Sequence, residues 1–439
     1  MYEKYKIITF GCQMNENDSE KISGMLSEMG YLESDDAAEC GVIVINTCSV
    51  RGNADDKFFG ALGQLKQLKQ AKPETVICVC GCMMQQEVFR NEIKEKYRFV
   101  DIIFGTHDIS EFPELLDRYK ASHKKLVSVL EDTPDIPENV PTKRAFKHKA
   151  YVSIAFGCDN FCSYCIVPYT RGREKSRRPE DILKEVSCLA EDGCKEIMLL
   201  GQNVNSYGKG LDGRISFAEL LSKVSDISGI ERVRFMTSHP KDLSDELIDV
   251  IAERDNICNS IHLPVQSGSN RVLKLMNRHY TREHYISLVD KIRDRIPGVT
   301  ISTDIIVGFP TETDEDFADT LDLVRKCAYD SAFTFIYSPR VGTKAASMEL
   351  LPDEVIKPRF QALVDTLQEI IAAKSQLYAD TIQEVIVDGI SRSNDMMMSG
   401  RTKSNKLVNF AGNCDIGDTV DVRITEAKPY YLLGEMLHD

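Results

Sequence analysis

Short apolar runs ending near glycine or cysteine alternate with amphipathic stretches from the start of the chain to about Leu130. KIITFGC leads into ENDSEKISGMLSEMG, and GVIVINTC into a helix-like run through Leu68. VICVCGC leads into QQEVFRNEIKEKY, and FVDIIFG into EFPELLDRYK. Strand alternating with helix predicts a parallel sheet. Residues Glu131 to Val140, followed by Pro141, are polar and proline-rich, which predicts a semi-rigid linker. From Tyr151 the alternation resumes in YVSIAFG, EIMLLGQN, VRFMTSHP, SIHLPVQSG, TISTDIIVGFP and AFTFIYSPR, with helical patterns such as PEDILKEVSCLAEDG and DEDFADTLDLVRKC between them. Six such units predict a partial barrel with its chemistry at the carboxyl ends of the strands.

PDEVIKPRFQALVDTLQEIIAAKSQLYA predicts a helix, interrupted or begun at Pro358. From about Gln383 the pattern changes to short strands with Gly and Asn turns, VIVDGISR, KLVNFAG, DTVDVRITEA and YYLLGEM. That predicts a small all-β barrel of the kind used for oligonucleotides. The expected organisation is a parallel α/β domain over 1–130, a linker over 131–149, a partial (β/α)6 barrel over 150–375 and a β-barrel over 376–439.

Composition narrows the class. The 439 residues are 42% hydrophobic, enough for sizeable cores, with no run of the ~18–20 apolar residues that a membrane helix needs. The start, MYEKYK, has no apolar signal-peptide core, so a cytoplasmic protein with no membrane partner is expected. Fourteen cysteines are too few for a disulfide scaffold and read as ligands, catalytic groups or core fillers. A net charge of −14 argues against a sequence-blind nucleic-acid binder. The basic residues are local, however: KRAFKHK and RGREKSRR bracket one cysteine cluster, and the second run offers Arg171, Arg173 and Arg177 for anion or RNA contact. The competing reading of such runs is a solvated surface.

Two sets of three cysteines carry the chemistry. Cys158, Cys162 and Cys165 are compact, in GCDNFCSYC; Cys12, Cys48 and Cys82 are dispersed, each at the end of a strand-like run. Ligands of open parallel sheets sit outside those carboxyl ends, so one sheet edge can gather all three dispersed cysteines. Three thiolates can hold a four-iron cluster and leave one iron open. The compact set lacks the nearby fourth cysteine of ferredoxin spacing. A zinc site is the alternative, and it would need His148 as fourth ligand. Cys78 and Cys80 fall on one face of a strand and are expected to be packed, while Gly81 lets the chain turn and present Cys82. Cys40, Cys188, Cys194, Cys258, Cys327 and Cys414 match no motif and read as structural. Glu312 and Asp314 read as caps of the next helix.

CxxxCxxC at the end of the first barrel strand resembles the radical S-adenosylmethionine (SAM) superfamily. GCQMNENDSE, NTCSVRGNADDK, GCDNFCSYCIVPYTRGREKSR, LLGQNVNSYG, LPVQSGSNRVLKLMNRHYTRE and GRTKSNKLVNF make the whole chain similar to its methylthiotransferases, those acting on tRNA. YSPRVGTKAA departs from the family pattern, with Val341 and Lys344 where prolines are usual. The resemblance implies a radical SAM-type central barrel and a TRAM-like RNA-binding tail. It implies two [4Fe–4S] clusters, one on Cys158, Cys162 and Cys165 for SAM cleavage and an auxiliary one on Cys12, Cys48 and Cys82.

It further implies two S-adenosyl-L-methionine molecules per turnover and methylthio transfer to C2 of an N6-isopentenyl adenosine beside the anticodon. The implied partners are tRNA, an electron donor and sulfur-supply proteins. Gln202, Asn203, Ser238 and Gln266, at strand ends, are placed to bond SAM, or else to cap a helix or satisfy a turn, and Tyr164 could stack beside the cluster or fill the core. In the tail, Arg401, Lys403 and Lys406 cluster in one hairpin suited to RNA, and Phe410 could offer a stacking surface. Two alternatives stay open: a methylthiotransferase acting on a ribosomal-protein aspartate, and a non-enzymatic iron–sulfur RNA-binding protein.

Overall fold

A computed structural model describes residues 3–49, 52–132, 136–213 and 215–437. Val50 and Arg51 of the NTCSVRGNADDK motif and Thr133–Asp135 of the linker lie outside the described residues.

The first unit is a six-stranded parallel sheet in the order β2-β1-β3-β4-β5-β6. Its strands are β1 (Lys4–Thr9), β2 (Leu32–Glu33), β3 (Val42–Thr47), β4 (Val76–Gly81), β5 (Ile102–Phe104) and β6 (Leu126–Ser128), with helices α1 (Gln13–Glu28), α2 (Gly52–Ala71), α3 (Glu87–Lys96) and α4 (Phe112–Ser122). The expected strand–helix alternation is present; the two- and three-residue strands β2 and β6 are additions. Every residue of β3 and β4 is buried, as in a sheet covered on both faces. Val42, Val44, Cys78 and Cys80 pack with Ile22, Leu26 and Leu116 on one face. Ile43, Ile45, Ile77 and Val79 pack with Phe58, Leu62 and Ile93 on the other. Cys78 and Cys80 are therefore packed core residues, as their alternation implied.

The second unit is an open barrel of six principal parallel strands in two groups of three. β7 (Lys149–Ser153), β10 (Glu196–Leu200) and β11 (Arg232–Phe235) form one group; β12 (Ser260–His262), β13 (Thr300–Val307) and β14 (Ser331–Ile336) form the other. Between β7 and β10 lie the antiparallel pair β8 (Ala155–Phe156) and β9 (Lys175–Ser176), the short helix α5 (Val167–Thr170), and α6 (Pro179–Glu191). α7 (Phe217–Ser225), α8 (Asp245–Glu253), α9 (Asn270–Leu275), α10 (Arg282–Arg295) and α11 (Asp314–Cys327) wrap the outside. Ser216, Ser244, Ser269, Thr281 and Thr313 cap five of these helices by accepting a backbone N–H from the first turn.

The cap of α11 is thus Thr313 in a box with Asp316, not Glu312 or Asp314. Glu312 instead accepts from Gly308 N at 3.0 Å and pairs with Arg359, which also holds Asp314. α12 (Asp353–Gln376) begins before Pro358 and runs through it.

The tail is a closed five-stranded barrel, β15-β16-β17-β19-β18, from β15 (Ile382–Ser391), β16 (Asn394–Thr402), β17 (Leu407–Ala411), β18 (Thr419–Ala427) and β19 (Leu432–Met436). β16 was not expected. Its NDMMMSGRT has little of the β-branched signature of strands. Phe410 is fully buried in this barrel's core with Val385 and Val408, so it offers no stacking surface.

The segment before β7 is strapped rather than free. Lys143 N donates to the Glu20 carbonyl at 3.0 Å, and Glu138 holds Arg177. A Cβ at Gly24, in the middle of α1, would lie 2.4 Å from the Pro141 carbonyl carbon. Among the described residues no helix is long and apolar enough to cross a membrane.

Two glycine-to-alanine changes in helices should therefore differ in sign. Gly60 in α2 has nothing within 4 Å of an added Cβ, so Gly60→Ala should stabilise by up to about 1 kcal/mol. Gly24→Ala should destabilise by about 1–3 kcal/mol through overlap with Pro141. Thermal unfolding of the two variants measures both; a stabilised Gly24→Ala protein would contradict the strapped segment.

Candidate functional site

The dispersed cysteines meet at the carboxyl edge of the first sheet. Cys12 follows β1 and occupies the N-cap position of α1; Cys48 and Cys82 each directly follow β3 and β4. β1, β3 and β4 are adjacent, so residues far apart in sequence become neighbours. Gly11, at φ 135°, approaches so closely that an added Cβ would lie 2.9 Å from Cys48 Cβ. Gly81, at φ 95°, sits against Asn46 Oδ1 and the Thr47 carbonyl, each 2.4 Å from an added Cβ. Only glycine accepts that backbone and that approach together. Polar groups lock the three ends: Asn15 Nδ2 donates to Asn46 Oδ1 at 3.1 Å and to the Thr47 carbonyl at 2.9 Å, and Thr47 Oγ1 donates to the Cys80 carbonyl at 2.5 Å.

The compact cysteines lie in the loop between β8 and α5. Cys158 N donates to the Gly172 carbonyl at 3.2 Å, and an added Cβ at Gly157 would fall 2.1 Å from the Arg173 carbonyl. The middle of the loop is pinned to the end of α9: Ser163 N donates to the Met276 carbonyl at 3.0 Å, and Asn277 Nδ2 to the Asn160 and Phe161 carbonyls. Tyr164 packs against the small apolar cluster of Met276, Phe309 and Tyr337.

α5 and the start of its following loop join the two edges. Thr106 Oγ1 donates to the Thr170 carbonyl at 2.9 Å. Arg171, 5% exposed, donates from Nε to Cys82 Sγ at 3.2 Å and from Nη2 to Asp18 Oδ2 at 2.7 Å. Ser153 Oγ donates to Asn17 Oδ1 at 2.9 Å. In the compact set, Arg278 Nη1 donates to Cys162 Sγ at 3.5 Å. Burial pushes the Cys82 thiol up to about 12 and Cys158 up to about 11, and raises Cys165 as well. Such sulfurs ionise only against a strong positive charge, and a bound metal centre deprotonates a coordinating thiol outright. The donor set therefore fits an iron–sulfur group at each trio.

Among the described residues, no three His, Cys, Asp or Glu side chains converge as ligands of a single ion. His148 precedes β7 and lies 3.5 Å from Asp388 of the tail barrel, at the other end of the strand from Cys158.

The loops after β10 and β11 carry unsatisfied polar atoms. Gln202 Oε1, both amide atoms of Asn205, Ser238 Oγ and His239 Nε2 are buried without a hydrogen-bond partner. Buried polar groups are almost always paired, so this concentration fits a polar ligand such as SAM. His239 Nδ1 accepts from Lys241 N at 3.3 Å, which leaves the proton on Nε2 as a free donor, and burial holds the ring neutral by depressing its pKa.

Asn203 departs from the expected SAM contact: its amide is spent on Asp242 Oδ2 at 2.7 Å and His239 N at 3.1 Å, so it shapes the loop instead of offering a free group. Gln266 adopts φ 69° and bridges β13 through its backbone to Asp304 and Ile306. Asn205 and His239 were missed in the sequence, where a strand-end position alone did not separate them from their neighbours.

The basic residues divide. Arg171 is unavailable to RNA because Asp18 and Cys82 occupy it. Arg177 is buried too, held by Glu138 at 2.7 Å and Glu185 at 2.7 Å. Lys406 is buried and donates to the Asp330 carbonyl at 3.2 Å. Arg173 is exposed on its Asp159 pair, and Arg401 and Lys403 remain at the surface. Tyr430 and Tyr431, exposed on the tail, were not anticipated. A cavity of about 1410 Å³ runs through the open barrel, from Gln13, the neighbour of Cys12, past Tyr151 and Phe333 to Arg401 and Tyr431.

Residues 152–324 match the Radical SAM superfamily, residues 4–105 the Uncharacterized protein family UPF0004, and residues 376–437 the TRAM domain. The tRNA-2-methylthio-N(6)-dimethylallyladenosine synthase of Alkaliphilus oremlandii is 53% identical over 100% of this chain and 93% of its own length. That of Clostridium tetani is 54% identical over 98% of this chain and 95% of its own. Among solved structures, the radical SAM methyltransferase TsrM from Kitasatospora setae, with tryptophan substrate and a SAM analog, covers 85% of this chain and 90% of its own at a TM-score of 0.59 and 12% identity. The cobalamin-dependent radical enzyme OxsB covers 84% of this chain and 56% of its own at a TM-score of 0.53 and 12% identity. Identities so low speak to the fold alone. The chain belongs to the radical SAM superfamily, whose members work with an iron–sulfur cluster and S-adenosylmethionine, and within it to the family of tRNA-2-methylthio-N(6)-dimethylallyladenosine synthases.

Proposed function

We propose that this protein is a tRNA methylthiotransferase that converts N6-(dimethylallyl)adenosine next to the anticodon into its 2-methylthio derivative. The observation that carries this reading is the junction of the two α/β units, where Arg171, from the loop that follows the compact trio, donates to Cys82 of the dispersed trio, beside a cavity that reaches Gln13. The adenine C2–H is not acidic near neutral pH, and general acid–base help typically supplies only ~10²–10⁴-fold. Bound cofactors must carry that step.

Cys158, Cys162 and Cys165 would hold one [4Fe–4S] cluster and Cys12, Cys48 and Cys82 a second. When bound, these groups and two SAM molecules per turnover supply one-electron hydrogen removal and the methylthio sulfur. The side chains do the rest. Arg171 and Arg278 place a guanidinium at one sulfur of each trio and hold the loops that carry them. Gln202, Asn205, Ser238 and His239 offer their unpaired atoms to the polar groups of SAM. An anticodon-loop base is already single-stranded, so drawing it into the cavity costs least there. Arg173, Arg401 and Lys403 would meet its phosphates, and Tyr431 could stack a neighbouring base. A cytoplasmic location, an electron donor and a sulfur-supplying partner follow from this reading.

The two trios should be separable. Anaerobically reconstituted protein should bind roughly eight iron atoms per chain, four for each centre. Cys48→Ala should keep about half and still form 5′-deoxyadenosine from SAM, yet transfer no methylthio group. Cys162→Ala should lose both activities. Iron assay and chromatography of the nucleosides read these; a Cys48→Ala protein that still methylthiolates would overturn the second cluster.

In cells lacking the protein, mass spectrometry of tRNA nucleosides should show N6-dimethylallyladenosine accumulating without its methylthio derivative. Unchanged tRNA with an unmodified ribosomal-protein aspartate would move the substrate from RNA to protein.

Arg171→Ala strands the buried Asp18 carboxylate and should destabilise the protein by about 3–5 kcal/mol. Arg171→Met with Asp18→Leu should recover most of that loss in thermal unfolding while methylthio transfer stays impaired. Full activity in the double variant would make the pair merely structural.

A further inference from the structure

The tail barrel meets the catalytic barrel at the end opposite the cysteines, through two arginines of β11. Arg232 and Arg234 stand two positions apart, on one face of the strand, and are 1% and 4% exposed. Arg232 Nη1 donates to the Arg401 carbonyl at 2.6 Å, and its Nη2 to the Glu384 carbonyl and Glu384 Oε1, both at 3.0 Å. Arg234 Nη2 donates to the Thr402 carbonyl at 2.7 Å and its Nη1 to the Lys403 carbonyl at 3.1 Å, while its Nε pairs with Glu196 at 3.0 Å. Thr300 Oγ1 takes the next carbonyl, Ser404, at 2.9 Å. Four successive carbonyls of the β16–β17 turn are therefore bound by the catalytic barrel.

That pattern is a seat, not an incidental contact. A buried guanidinium is costly unless its donors are filled; here the Nη donors of both arginines are taken mostly by uncharged backbone oxygens, while neither Nε makes a hydrogen bond. Each planar fork fixes direction as well as position, which a lysine ammonium does not. Two forks on one strand hold the turn against rotation.

The seated turn lies at the N-terminal mouth of the barrel, whose interior, in a closed barrel, would be filled by layers of its own side chains. In this open barrel the interior is a cavity, and Arg234, Asp388, Ser399, Arg401 and Asn405 are among its walls. The tail barrel closes the cavity from below while the cysteine edge borders it at Gln13.

We infer that Arg232 and Arg234 are positioning residues that seat the C-terminal barrel as the floor of the reaction cavity, setting a fixed distance between RNA held there and the cysteine edge. The inference rests on the tRNA reading above. It assigns the tail a part in catalysis beyond tethering RNA. A tether matters only to a substrate large enough to be tethered; a floor matters to any substrate that enters the cavity.

The test compares reconstituted full-length wild type, R232A/R234A and R232K/R234K. Substrates are full tRNA and a short single-stranded oligonucleotide carrying N6-dimethylallyladenosine. For R232A/R234A, hydrogen exchange should show lost protection at residues 402–406. Its kcat should fall at least about tenfold on both substrates, because small misplacements at a reacting centre cost that much. More 5′-deoxyadenosine should form per methylthio product, while SAM cleavage without RNA stays within about twofold. The lysine pair, keeping charge but not the fork, should fall between. Should the double alanine variant not fold, R234K alone should show the same uncoupling at smaller size.

Lost protection with an unchanged kcat and product ratio would overturn the positioning role, as would a defect confined to KM for full tRNA. Retained protection would overturn the clamp itself. Wild type that cleaves SAM yet methylthiolates neither RNA would overturn the tRNA reading, and the floor with it, whatever exchange shows.

Discussion

Holding thiols out of water while keeping them able to ionise is the constraint around which the two α/β units are arranged. Burial raises the Cys82 thiol to about 12, even with the Arg171 guanidinium against it, and Cys158 to about 11, so both await the charge of a bound metal centre to ionise. Each trio also has a guanidinium at one sulfur, Arg171 at Cys82, where it offsets part of the burial, and Arg278 at Cys162. Arg171 belongs to the barrel loop and Cys82 to the first sheet, so the surroundings of the dispersed trio are complete only when the domains are docked. Asp18 balances Arg171 from α1 and ties the helix that starts at Cys12 into the same contact. The polar burial on α1 follows, because Asn15, Asn17, Asp18 and Ser19 all lie on surfaces that face the edge or the barrel.

From that contact the remaining architecture acquires a direction. Two parallel sheets bring their carboxyl ends together, and the opening left in the second runs downward as a cavity to the tail. The N-terminal ends of the barrel strands are occupied by buried ion pairs and by the captured turn of the tail barrel. Chemistry and assembly thus use opposite ends of the same strands, a division expected of parallel barrels. Loops at one end carry unpaired side-chain atoms; at the other, the Nη donors of Arg232 and Arg234 take up the carbonyls of the tail turn, although neither Nε makes a hydrogen bond.

Much of this was legible in the chain. The runs that become β3 and β4 were visible because strands buried on both faces are continuously apolar, and β1 and the six barrel strands because shorter apolar runs alternate with helical patterns. The six cysteines stood out by their places at the ends of those runs. What stayed hidden depended on partners distant in sequence. Arg171 and Arg177 read as free basic residues because Asp18, Glu138 and Glu185 meet them only in the folded protein. Lys406 and Phe410 looked available for RNA, yet one is taken by the Asp330 carbonyl and the other by the core of the tail. β16 escaped because Met396, Met397 and Met398 carry no strand signal by themselves and are recruited by pairing with β15 and β17. Thr313, not the neighbouring acids, caps α11 because only its hydroxyl sits where it can accept the Asp316 N–H.

Both trios are held to carry iron, with Arg171 tying the loop that follows the compact trio to Cys82 of the dispersed one. Anomalous diffraction at the iron edge, from crystals grown without oxygen, tests this most directly. Two iron centres should appear, one against Cys12, Cys48 and Cys82 and the other against Cys158, Cys162 and Cys165, with the Arg171 side chain at the boundary between them. A single iron centre, or a zinc signal at either trio, would contradict the account.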